Sequence, residues 1–193
     1  MIQLKRQERQ AQTRERLLQA ATDLFRRDGY AITSLERIAE AAGFTKGAVY
    51  SNFESKEAIY VEVLSKEATR NTAALIHALE EQPDLAGVVE CVAQWAHECS
   101  MHGGWSLSVL ELARTQAPES LCLEKLEDIV RTGWRALGGY LRQRFPHGAA
   151  EPEVLGALLF ELAYAPALTF LATPNAAQLV RLVLPAQLGR SSL

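Results

Sequence analysis

Lys46, Ala48, Ser51 and Asn52 fall on one side of a short segment whose other side carries Val49 and Phe53. An ammonium, a methyl, a hydroxyl and an amide at this spacing can contact phosphate oxygens or base edges, and a helix bearing them can enter a major groove. Lys46 can donate to guanine O6 and N7 or to a phosphate, and Ser51 and Asn52 suit a backbone oxygen or a base edge. Other chemistries are poorly served. His97, Cys99 and His102 have metal-ligating side chains, but positions 97 and 99 of a helix lie about 200° apart, so the three cannot converge on one ion. No metal or other cofactor is expected. Cys91, Cys99 and Cys122 form an odd set without C-x-x-C spacing and read as reduced core thiols. No nucleophile motif, zinc-protease motif, phosphate loop or dinucleotide fingerprint occurs, so an enzyme is not expected.

Two short helices must position that face. Thr33 or Ser34 offers an N-cap oxygen, and Leu35, Ile38, Ala39 and Ala42 recur at three- and four-residue spacings as a narrow apolar stripe. Gly43 can take the left-handed C′ conformation that ends the helix, and Thr45 can cap the next. Ahead of the hairpin, Leu17, Ala20, Ala21, Leu24 and Phe25 mark a first helix over about 13–27 that ends at Asp28-Gly29. Residues 1–16 carry five Lys and Arg against two Glu, a basic arm suited to phosphate.

The run from Thr13 to Leu64 resembles the DNA-binding domain of the tetracycline-repressor (TetR) family of transcriptional regulators. The likeness rests on Leu17-Leu18-Gln19-Ala20-Ala21-Thr22-Asp23-Leu24-Phe25, Asp28-Gly29-Tyr30, Thr33-Ser34, Ile38-Ala39-Glu40-Ala41-Ala42-Gly43, and Lys46-Gly47-Ala48-Val49-Tyr50-Ser51-Asn52-Phe53 leading into Ser55-Lys56-Glu57. It implies an all-α protein with a three-helix helix-turn-helix DNA-binding domain over 1–54 and a helical ligand-binding and dimerisation domain over 55–193. By the same resemblance Thr45, Lys46, Gly47, Ala48, Tyr50, Ser51 and Asn52 face DNA, Tyr50 and Lys56 anchor phosphates, and Thr33, Ser34, Arg37 and Arg14 touch the backbone. Arg37 is equally readable as a solvated charge. Ser51 and Asn52 depart from the family's frequent aromatic and His at these places, which leaves the operator sequence open.

Charge divides in the same sense. Residues 1–66 carry a net +2 and 67–193 a net −5, within a chain of 193 residues that is 48% hydrophobic, 22% charged and −3 overall. The opening residues are not an apolar signal and no run is long enough to span a membrane, so a cytoplasmic protein with no membrane partner is expected.

Ser55 caps a long helix toward Pro83, and further helices are expected over about 84–101, 105–115, 119–145, 152–172 and 175–187. The helix after Glu151 is apolar on more than one face and needs burial on two sides, with Pro166 kinking it. A homodimer joined through Leu155, Leu158, Leu159, Leu162, Ala163 and Phe170, assisted by Leu179 and Val183, satisfies this and resembles the family's four-helix interface; a helix threaded through a monomer is the other solution.

The resemblance also implies a small-molecule effector in the C-terminal domain that releases a palindromic double-stranded operator. Cys91, Trp95, Cys99 and His102 share one helical stripe that suits a pocket wall or plain core. Trp105, Glu111, Arg114, Trp134, Phe160, Glu161 and Tyr164 are further candidates. Glu161 stands out because a carboxylate in an apolar stretch needs a ligand or an ion-pair partner if buried. The competing reading of the whole chain is a ligand-independent DNA-binding protein whose C-terminal domain only dimerises.

Overall fold

The computed structural model describes residues 2–101, 104–165 and 173–189. These form nine helices and no strand: α1 Ile2–Ile32, α2 Leu35–Ala42, α3 Lys46–Tyr50, α4 Lys56–Glu80, α5 Leu85–Met101, α6 Gly104–Ala113, α7 Leu121–Arg144, α8 Pro152–Tyr164 and α9 Ala176–Leu188. The all-α expectation is met. The first helix begins earlier than its apolar stripe predicts, because residues 2–12 are mostly Gln, Arg, Lys and Glu, which are good helix formers without being core residues. It also resumes beyond Asp28-Gly29, with Gly29 at φ 81° as a break inside it. The predicted bend at Pro166 lies outside the described residues.

Two compact units result, one of residues 1–66 with 107–126 and one of 67–106 with 127–193. In the first, Leu17, Ala21, Leu24 and Phe25 of α1 are buried with Ile38 and Ala39 of α2, Val49 of α3 and Ile59, Tyr60 and Val63 of α4. The Phe25 and Tyr60 rings meet edge to face at 4.9 Å, and Tyr30 joins Tyr60 at 5.1 Å.

In the second unit α5, α8 and α9 pack around Val88, Val92, Ala96, Leu155, Leu159, Ala163, Val180 and Leu184. Asn175 and Gln178 form a capping box that starts α9. Arg144 donates to the carbonyls of Leu79 and Gln82, capping the C-terminal end of α4.

Close approach of α7 and α8 depends on glycine. A methyl at Gly138 would overlap the Pro152 carbonyl, and one at Gly156 would overlap the Trp134 backbone, whereas Gly139 faces open space. Gly138→Ala is therefore expected to lose more than about 2 kcal/mol of stability by overpacking, while Gly139→Ala is neutral or stabilising by up to about 1 kcal/mol. Urea unfolding of both variants checks the contrast; equal effects would mean that the helix crossing does not set the spacing.

Candidate nucleic-acid interface

The hairpin is built as its residues require. Ser34 Oγ accepts from the Arg37 amide at 3.3 Å and starts α2. Gly43, at φ 73°, ends it, with the Phe44 amide returning to the Ala39 carbonyl at 2.8 Å. Thr45 occupies the N-cap position of α3 without a side-chain cap bond. Ile38, Ala39, Ala42 and Val49 are buried, and Tyr50 is 54% exposed.

Two α1 arginines brace the hairpin. Arg14 pairs with Glu62 through both guanidinium nitrogens and lies 4.5 Å from the Phe53 ring centroid. Arg16 donates to the Ala42 carbonyl at 2.9 Å and covers Phe44 at 4.7 Å.

The outward face is Thr45, Lys46, Gly47, Tyr50 and Ser51, with Ala48 and Asn52 partly covered. Lys46 pairs with Glu36 of α2, whose carboxyl is held down to about 2 chiefly by that ammonium. Ser51 Oγ donates to the Gly47 carbonyl at 2.7 Å and Asn52 Nδ2 to the Ala48 carbonyl at 2.8 Å, so both donors are used inside the helix. Asn52 Oδ1 is buried with no donor among the described residues. Gly47 and Ala48 present almost no side chain, which lets the α3 backbone come close to a surface.

Two expected phosphate contacts are engaged within the protein. Thr33 is 1% exposed and its Oγ1 donates to the Gly29 carbonyl at 2.8 Å, because it closes the break in α1. Lys56 Nζ donates to the carbonyls of Tyr30 at 2.7 Å and Thr33 at 2.9 Å and stands 4.0 Å over the Tyr30 ring. Burial lowers its pKa from the ordinary lysine value. It is a clasp between α1 and α4 and is engaged within the protein. Arg37, offered as a phosphate contact or a solvated charge, makes a 2.6 Å ion pair with Asp28.

Ser108 and Glu111 of α6 complete the same corner. Ser108 Oγ accepts from the Tyr30 amide at 3.2 Å and Glu111 from the Ala31 amide at 3.3 Å, with Ser108 itself 1% exposed. Glu111 therefore has a structural partner, which revises its place among the ligand candidates. Nothing in the sequence connects residues 30 and 108; the contact depends on how segment 107–126 packs in the first unit.

The second unit brings some ligand candidates together. Cys91, Trp95 and Cys99 line one side of α5, and Trp95 meets Phe160 and Tyr164 of α8. Cys99 Sγ donates to the Tyr164 hydroxyl at 3.7 Å, and burial pushes the thiol up to about 11. Trp134 Nε1 is buried without an acceptor among the described residues. Glu161 is exposed and needs no buried partner, Trp105 is partly exposed, and His102 lies outside the described residues. Among the described residues no three His, Cys, Asp or Glu could hold a metal.

Three expected interface residues lie in the core of the second unit. Leu155, Leu159 and Ala163 are fully buried because their face of α8 packs on α5 and α9. Leu158, Leu162, Leu179 and Val183 are partly exposed, and Phe170 lies outside the described residues.

The clasp makes a prediction. Lys56→Met leaves two carbonyls without their cationic donor, and the loss of these charge-assisted bonds is expected to cost about 1.5–3 kcal/mol of stability. Thermal unfolding reads this directly. A variant of unchanged stability whose DNA affinity loses one unit of salt slope would restore the phosphate role.

Residues 17–63 match the model of bacterial regulatory proteins of the tetR family. AcrR of Shigella flexneri is 42% identical over 52 residues, covering 27% of this chain and 24% of AcrR. UidR of Escherichia coli K12 is 28% identical over 86 residues, covering 45% of this chain and 44% of UidR, so each match spans less than half of the relative's length. Solved structures share the fold over nearly the whole chain. The regulator SCO7518 of Streptomyces coelicolor A3(2) has a TM-score of 0.69 at 24% identity, covering 90% of this chain and 96% of that one. FadR of Bacillus subtilis with stearoyl-CoA has a TM-score of 0.64 at 16%, covering 91% and 97%. SmeT with triclosan has a TM-score of 0.60 at 19%, covering 90% of each. The capped hairpin and its outward α3 face lie within residues 17–63, the part of the chain that matches the tetR-family model.

Proposed function

We propose that the chain is a cytoplasmic, non-enzymatic transcriptional regulator, a repressor, that binds a palindromic operator as a homodimer and leaves it on binding a small molecule. Residues 1–54 carry the DNA contacts and 55–193 the effector and dimer functions. The observation that carries the reading is the solvent-facing side of α3, where Lys46 and Tyr50 flank the nearly bare backbone of Gly47 and Ala48. Thr45, Ser51 and Asn52 border the same face, with Ser34, Arg37 and Arg14 behind it. The regulators AcrR and UidR support the DNA function, and the stearoyl-CoA bound to FadR and the triclosan bound to SmeT support an effector.

Dimerisation is assigned to the outer strip of α8 and α9. Val154 is 61% and Leu182 76% exposed, and Leu158, Leu162, Leu179 and Val183 lie partly exposed on the same two packed helices. An apolar strip of this length on paired antiparallel helices suits a two-fold copy of itself. Two linked heads then bind half-sites cooperatively, and loss of one forfeits most of the affinity. No helix among the described residues is long and apolar enough to cross a membrane.

Lys46→Ala and Tyr50→Ala are each expected to weaken operator binding by about tenfold or more while leaving the unfolding midpoint in place. Gel-shift titration on operator fragments selected from random DNA reads this, and unchanged affinity in both would remove α3 as the reading helix. Leu158→Arg is expected to give monomers in sedimentation velocity with intact helical content. A persistent dimer would remove the α8 strip as the interface.

A further inference from the structure

We propose that Trp95, Phe160 and Tyr164 form the wall of a binding site for a neutral aromatic compound carrying a hydrogen-bond-accepting oxygen. This deepens, and rests on, the reading that the second unit answers to a small molecule.

The three rings are arranged to offer faces. Trp95 of α5 meets Phe160 at 5.5 Å and 61° and Tyr164 at 6.4 Å and 84°, and Phe160 and Tyr164, one turn apart on α8, lie at 5.8 Å and 48°. Edge-to-face contacts use the rim of one ring and one face of its neighbour, so the remaining faces are available for stacking. All three rings are partly exposed, whereas Val92, Ala96, Leu159 and Ala163 beside them are fully buried. Solvent thus reaches the aromatic side chains while the aliphatic layer beneath them is sealed. On a further side Phe160 is seated against Gly133 of α7: a methyl built there would lie 2.9 Å from Phe160 Cζ and 3.7 Å from Thr72 Oγ1 of α4, so the absence of a side chain at 133 sets where the ring lies.

The charge pattern selects a neutral ligand. Glu90, Glu98 and Glu161, the acidic residues of α5 and the later turns of α8, are exposed, and Glu90 is engaged by Arg181 at 2.6 Å. The Cys99 thiol stays protonated near neutral pH, and burial raises the Tyr164 phenol further above its ordinary value. A carboxylate bound against these rings would lose hydration without gaining an ionic partner, and an organic cation would gain the ring faces but no carboxylate to offset the rest of its lost hydration. Tyr164 supplies the polar contact: its oxygen accepts from Cys99 Sγ, which leaves its own proton to turn toward an acceptor on the ligand.

The test titrates the full-length protein with 2-naphthol, decanoate and benzyltrimethylammonium, reading tryptophan fluorescence and thermal shift. 2-Naphthol is expected to bind saturably and at least tenfold more tightly than the other two. Tyr164→Phe should weaken it about two- to tenfold through the lost hydrogen bond. Gly133→Val, which pushes Phe160 out of its place in the wall, should abolish binding. Because that variant risks misfolding, Trp95→Phe is the companion, expected to remove most of the ligand-induced fluorescence change with the helical spectrum intact. Absence of 2-naphthol binding, tighter binding of either charged probe, or indifference of its affinity to both Tyr164→Phe and Gly133→Val would overturn the proposal. Operator release is read separately by gel shift. Specific 2-naphthol binding without release sustains this site and removes 2-naphthol-type compounds as effectors, whereas release by decanoate alone sustains effector control and overturns this site.

Discussion

The reading head depends on one interruption of a helix. At Gly29 the chain takes a φ of 81°, a conformation that costs residues with a Cβ, and the backbone groups of residues 29–33 lose their regular helical partners. Five of them are answered by side chains. Thr33 donates to the Gly29 carbonyl, Lys56 to those of Tyr30 and Thr33, and Ser108 and Glu111 accept from the Tyr30 and Ala31 amides. Three separate stretches therefore meet at one corner, and the direction in which α2 leaves it fixes where α3 faces. Removing any one partner leaves a polar backbone group short of a bond beside the buried Phe25, Tyr30 and Tyr60 cluster.

Four cations of the head are paired before any partner arrives. Arg14 holds Glu62, Arg37 holds Asp28, Lys46 holds Glu36 and Lys66 holds Glu15. A phosphate competing for one of these groups exchanges one anion for another, so each contact contributes less net attraction than a free ammonium would. Because Lys46 and Glu36 are about half exposed, that exchange is cheap, but it still favours a site where the phosphate geometry is good. Lys46 is oriented by its carboxylate and lies 5.7 Å from the Tyr50 ring, which places the two exposed α3 side chains as a pair. Under the proposed reading, weak non-specific attraction and a prearranged contact group both favour discrimination between DNA sequences.

Local chemistry was legible in the sequence wherever it is carried by adjacent residues. The Ser34 cap, the Gly43 stop, the stripe of Ile38, Ala39 and Ala42 and the start of α4 at Ser55 all follow from spacing and side-chain type. Long-range pairing was not legible. Lys56 sits beside the head like a phosphate anchor, and only the packing of α1 against α4 shows that its ammonium faces the Tyr30 and Thr33 carbonyls. Glu111 has the charge expected of a ligand contact, yet segment 107–126 folds with the head. Apolar patterning of α8 revealed the need for burial on two sides without revealing which leucines serve which side.

That last ambiguity resolves into a division of labour around one helix. Leu155, Leu159 and Ala163 pack inward on α5 and α9; Phe160 and Tyr164 meet Trp95; Val154 and Leu158 lie on the outer side, with Leu162 packed at the edge of the core. At about 100° per residue, thirteen residues suffice for all three faces. The faces cannot respond independently, since a helix moves as a rigid rod over so short a length. At its N-terminal end α8 is pinned, because Gly156 lies against the Trp134 backbone and Pro152 against Gly138 with no space for even a methyl. A ligand that separates Phe160 and Tyr164 from Trp95 must then displace the C-terminal end of α8 about that fixed contact, carrying Leu162 with it. Under the proposed reading, this pivot couples the aromatic wall to the dimer surface, and the small residues at the α7–α8 crossing turn local stacking into a change in subunit geometry.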